Sequence, residues 1–98
     1  MKEVTPQEQR DLQRIQPSVD QAFCLLFWKM SDGPACDKKV LRRINSNGVP
    51  ISTQKYSEVF LYRSVADALV HGKFLISRKY DVKIMTCNRR GKDKFWLT

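Results

Sequence analysis

The stretch Ala22-Phe23-Cys24-Leu25-Leu26-Phe27-Trp28 is the longest unbroken apolar run in the chain, and it constrains the fold more than any other segment. Seven consecutive apolar side chains need cover on every side, so the core must be built around them. The run is bounded by Asp20-Gln21 and by Lys29, and it is far too short to span a bilayer. Ser18 and Gln21 stand ahead of it at capping-box spacing, and Phe23, Leu26, Phe27 and Met30 recur at helical intervals. These features predict a helix over about 18–30, apolar nearly all round and buried at the centre of the domain.

Local signals divide the rest of the chain around this centre. Thr5-Pro6-Gln7-Glu8 has the grammar of a helix start, with Thr as cap, Pro at the first helical position and Glu three residues after the cap. A helix over 6–15 is expected there, with a thin apolar stripe of Leu12 and Ile15, stopped by Pro17. Ser31-Asp32-Gly33-Pro34 breaks the chain. Asp37 is read as the cap of a helix over 38–47 with Val40, Leu41 and Ile44 inward, ending at Asn47-Gly48. Val49–Ser52 reads as a short edge strand. Thr53 to His71 reads as a further helix with Leu61, Tyr62, Val65, Ala68 and Leu69 on its core side, ended by Gly72. Strand patterns follow at 74–76, 82–87 and 94–97, the last two flanking a hairpin loop over 88–93. The expected core is Phe23, Leu26, Phe27, Val40, Leu41, Ile44, Val65 and Leu69. The expected organisation is an N-terminal extension over 1–17 and one domain over 18–98.

Ninety-eight residues can enclose one modest core, and 42% apolar with 10% aromatic side chains is the composition of a globular domain. Cys24, Cys36 and Cys87 are an odd, widely spaced set with no CxxC pair, and a single histidine, His71, cannot complete an obvious zinc site. Free thiols and no metal or cofactor are the expectation. Motifs for phosphate-cradling loops, metalloproteases and serine hydrolases are missing, so the chain is not expected to be an enzyme. With no leader-like segment read at the N-terminus, the expected location is the cytoplasm, on the nucleoid in a bacterial or phage setting.

Charge supplies the functional clue. The net charge is +8, and it is unevenly placed. Residues 1–37 carry four basic and six acidic side chains, whereas residues 38–98 carry fourteen basic and four acidic ones. A concentrated basic field attracts polyanions and gains from counterion release at phosphates. No segment is both strongly amphipathic and lysine-rich on one face, so nucleic acid fits better than a membrane surface.

The order of these elements, carried by Val40-Leu41-Arg42-Arg43-Ile44, Gly48–Ser52, Val65–Ile76 and the closing Lys94-Phe95-Trp96-Leu97-Thr98, resembles the winged-helix (winged helix-turn-helix) family of DNA-binding domains. The resemblance implies a small α+β fold, three to four helices followed by a C-terminal antiparallel β-hairpin, the wing. It implies transcription regulation through double-stranded DNA, with Gln54, Lys55, Ser57, Arg63 and Ser64 on a recognition helix in the major groove. Arg89, Arg90, Lys92 and Lys94 would place the wing on the backbone, and Lys38, Lys39, Arg42 and Arg43 would add phosphate contacts. A homodimer is a further expected assembly. Two alternatives stay open: a protein-interaction module using Val59, Phe60 or the N-terminal helix, and a single-stranded DNA or RNA binder stacking bases on Trp28, Phe95 or Trp96.

Overall fold

From Phe23 onward the apolar run is a strand. Phe23–Lys29 forms β1, an inner strand of a four-stranded antiparallel sheet. The computed structural model describes residues 4–17, 23–33 and 35–86. Along the chain lie α1 (Pro6–Arg14), β1, β2 (Lys39–Ile44), β3 (Pro50–Thr53), α2 (Val65–Ser77) and β4 (Tyr80–Thr86), with short 3-10 turns at Met30–Asp32 and Tyr56–Glu58. The spatial order of the strands is β3-β2-β1-β4.

The class is α+β, but two helices and a four-stranded sheet replace the three to four helices and C-terminal hairpin expected from the sequence. The helix-turn-helix of a winged helix is absent among the described residues. The expected wing loop and the strand at 94–97 lie outside them. Residues 23–29 are extended because both faces of β1 are covered, so a strand satisfies six apolar residues in a row, Phe23 to Trp28. Leu25 and Phe27 face α2 in one cluster with Leu41, Tyr62, Ala68, Phe74 and Leu75. Cys24 and Leu26 join Val40, Val59 and Leu61 on the other face.

The second misread segment has a more local cause. Val40, Leu41 and Ile44 have helical spacing, yet they lie on β2. The register with β3 slips between Leu41 and Arg43, so one extra residue is inserted there. In a regular strand Leu41 and Ile44 would point to opposite faces; the bulge returns them to the same one. Both pack toward the helices. A bulged strand thereby imitates the i, i+3 spacing of a helix.

Asn47-Gly48 closes the β2–β3 hairpin and does not end a helix. Gly48 has φ of +79° and donates its N–H to the Asn45 carbonyl at 2.9 Å, while Asn45 Oδ1 accepts from the Asn47 and Val49 amides. A short Asn-Gly turn of this kind suits the twist of paired strands.

The expected helix over 53–71 begins twelve residues late, at Val65, where Ser64 Oγ accepts from the Asp67 amide at 3.1 Å. It continues through Ser77, so Phe74, Leu75 and Ile76 are helical and not extended. Its buried side is Ala68, His71, Gly72, Phe74 and Leu75. Val65 and Leu69, expected in the core, are 45% and 39% exposed because the stripe that meets the sheet lies on the opposite side. Gly72 does not stop the helix. A Cβ there would sit 3.3 Å from Val82 Cγ2 and 3.7 Å from Leu25 Cδ1, so glycine lets α2 lie close on β1 and β4. The actual stop is at Arg78-Lys79, with Lys79 at φ of 74°.

α1 forms where its signals place it. Thr5 Oγ1 accepts from the Glu8 amide and Glu8 Oε1 accepts from the Thr5 amide, both at 3.1 Å. The helix is docked by Ile15 in the core and by an Arg78–Glu8 ion pair at 3.3 Å.

Candidate nucleic-acid interface

β2 and β3 form a two-stranded ribbon at one edge of the sheet, and most of the described cations proposed for phosphate contact gather there. Strand alternation assigns their faces. Val40 pairs with Thr53 and Arg43 with Ile51, so Arg43 shares the face that carries Leu26 and Val40, away from the helices. Arg42 occupies the bulge. It reaches the same side, where its Nη1 lies 3.8 Å from Glu58 Oε1. Lys38 and Lys39 stand at the start of β2 and are exposed.

The turn after β3 adds the remaining polar groups. The Thr53 hydroxyl donates to Glu58 Oε1 at 2.7 Å and accepts from the Lys55 amide at 3.0 Å, which fixes the chain as it leaves the strand. That hydrogen bond, with the charges of Arg42 and Lys55, holds the Glu58 carboxyl below its ordinary range against the opposing effect of desolvation. Glu58 is therefore ionised and already engaged.

Between these elements lies an open groove of about 640 Å³. Leu26 and Val40, nearly buried, form its floor, Lys38 and Lys39 one wall, and Ser52, Thr53 and Gln54 the other. Lys38 Nζ also sits 4.8 Å from the centroid of the Trp28 ring, a cation–π contact. Trp28 is half-buried. Its indole Nε1 is buried without an acceptor among the described residues.

The recognition helix expected from the sequence is not present. Gln54 and Lys55 lie in the turn after β3, Ser57 in the 3-10 turn, Arg63 in the exposed approach to α2, and Ser64 is the N-cap of α2. Arg63 and Ser64 belong to a different element from the ribbon. Lys39, Arg42 and Arg43 are on a strand and Lys38 on the loop before it, where a helix over 38–47 was expected. Arg89, Arg90, Lys92 and Lys94 lie outside the described residues. Val59 is buried in the second core cluster, and Phe60 is half-buried against the rings of Tyr62 and His71. Both serve internal packing. The groove floor and the Lys38–Trp28 contact were missed because sequence reading placed Trp28 and Leu26 inside a buried helix.

No protein-family model, curated protein or solved structure matches this chain.

The other polar cluster is internal. His71, buried in α2, lies 2.9 Å from the Leu12 carbonyl through Nε2 and 2.7 Å from the Tyr62 hydroxyl through Nδ1. A carbonyl can only accept, so Nε2 carries the proton, and in the neutral ring Nδ1 accepts from the Tyr62 O–H. Burial lowers the His71 pKa, opposed by the bond to Leu12 and the charge of Asp67. Burial, with a smaller effect of Cys24, raises that of Tyr62 well above its ordinary value. Both ring nitrogens are occupied, Nε2 joining α2 to α1 and Nδ1 joining it to Tyr62, so this histidine is a structural clasp. Among the described residues no group of three or more His, Cys, Asp or Glu side chains is placed to hold a metal ion, and no helix is long and apolar enough to cross a membrane.

Proposed function

We propose that this protein binds double-stranded DNA by its sugar–phosphate backbone, through the basic β2–β3 ribbon at the edge of its sheet. The observation that carries this reading is the convergence of Lys39, Arg42, Arg43 and Lys55, all exposed, on one ribbon and the turn that leaves it. From Asp37 to Arg63 the chain holds six cations and two carboxylates, and one of the two, Glu58, is already bonded to Thr53 and paired with Arg42. The field over this edge is strongly positive. A two-stranded antiparallel ribbon also fits the width of the major groove of B-DNA, which gives β2–β3 a way to approach the duplex without a recognition helix.

The test is a binding titration on a mixed-sequence duplex over a range of salt concentrations. Four phosphate contacts give a slope of log affinity against log salt of about −3.5. Replacing Lys39 and Arg43 together by alanine should flatten that slope by about two and weaken binding to all sequences alike. An unchanged slope in the double variant would overturn the reading. Selection from a random duplex pool tests the regulatory role: an enriched motif supports a sequence-specific regulator, and no enrichment leaves a backbone binder.

A further inference from the structure

Resting on the DNA-binding reading above, we propose that the groove between Lys38-Lys39 and Ser52–Gln54 receives an unpaired nucleotide of the bound DNA, its base directed toward Trp28. A phosphate on a duplex is satisfied by cations alone and gains nothing from an apolar floor. A nucleobase has apolar faces and a polar edge, and the groove offers both kinds of surface: Leu26 and Val40 beneath and the polar Gln54 at the side. Lys38, on the same face as Trp28, supplies the phosphate contact for the same nucleotide.

Trp28 gives the second, independent observation. Its ring is half-buried on the groove face, covered by the Lys38 ammonium at 4.8 Å, and its buried N–H has no acceptor among the described residues. An unmade hydrogen bond at a buried donor is costly, and an incoming nucleotide remedies it. When the Lys38 ammonium swings to a phosphate, the face of the indole is uncovered for stacking. Thr53 has no such role, because its hydroxyl is used twice, toward Glu58 and toward the Lys55 amide.

The experiment compares a blunt duplex with the same duplex carrying a short unpaired overhang, by fluorescence anisotropy at one salt concentration. A Trp96→Phe background makes Trp28 the sole tryptophan, so its emission reports on stacking. The overhang should raise affinity about tenfold and quench Trp28 emission, whereas the blunt duplex should leave the emission unchanged. Trp28→Leu and Gln54→Ala should each reduce the overhang preference without altering blunt-duplex affinity. Gln54 is exposed in a turn, so its variant tests the groove without disturbing the core; circular dichroism checks the fold of Trp28→Leu. Equal affinity for both DNA forms, with blunt-duplex binding intact, would overturn this inference and leave the backbone reading standing. Full overhang preference in both variants would overturn it as well. Loss of salt-dependent binding to either form would instead overturn the DNA-binding reading itself.

Discussion

Replacing His71 by glutamine removes the only imidazole in the chain, and with it the pH dependence that this ring imposes on folding. In the native protein the ring must be neutral to accept from the Tyr62 hydroxyl while donating to the Leu12 carbonyl. Protonation would place a second N–H against a buried hydroxyl that has to turn its own hydrogen away. Burial accordingly sets the native pKa below the ordinary value of 6.5, despite Asp67 and the Leu12 bond. Between the two pKa values the unfolded chain binds more protons than the folded one, so stability rises with pH. The contribution is complete above pH 6.5 and is lost as pH falls from there toward the native pKa, at up to about 1.4 kcal/mol per pH unit. Glutamine can occupy the same two partners with no titration in this range. Urea unfolding of both proteins from about pH 5 to 7.5 should therefore show a stability loss on acidification that is reduced in His71→Gln. His71→Ala at neutral pH should cost about 2–4 kcal/mol, from the orphaned Tyr62 hydroxyl and the lost ring volume. The same pH slope in both proteins, or a native imidazole that titrates at or above 6.5 by NMR, would refute the reasoning.

Three further substitutions test the packing. Gly48→Ala should lower stability by about 1–3 kcal/mol in a denaturant titration, because φ is +79° and the new methyl would lie 2.9 Å from both Phe74 Cζ and Val4 Cγ2. Leu41→Ala, at a fully buried site, should cost about 2–5 kcal/mol, whereas Leu69→Ala on the outer side of α2 should stay within about 1 kcal/mol; equal losses in thermal melts would show that the faces are misassigned. Thr5→Ala breaks the capping box and should cost about 1 kcal/mol, visible as lost helical ellipticity with the sheet signal intact.

Where the information was local, the sequence determined the outcome. The capping box and proline of α1 specify a helix whatever it docks against, since all the groups involved lie within four residues. Asn47-Gly48 specifies a reversal because glycine adopts positive φ without strain, although its neighbours, not the pair itself, decide that strands are what it joins. The alternation after Tyr80 gave β4 within one or two residues. Leu26, Phe27, Val40 and Leu41 were recognisable as core from hydrophobicity alone. What only the tertiary structure decided was the state of 23–29 and 39–44. An apolar run of seven suits a buried helix or a strand covered on both faces, and the choice rests on whether β2 and β4, many residues away, supply hydrogen-bonding partners. The bulge at Arg42 compounds this by giving a strand the spacing of a helix. The same long-range pairing decided the candidate site. Lys38, Val40 and Thr53 line one groove because β2 pairs with β3, and Trp28 meets Lys38 because β1 pairs with β2. Such proximity is set by hydrogen-bond register between distant segments, and no local propensity encodes it.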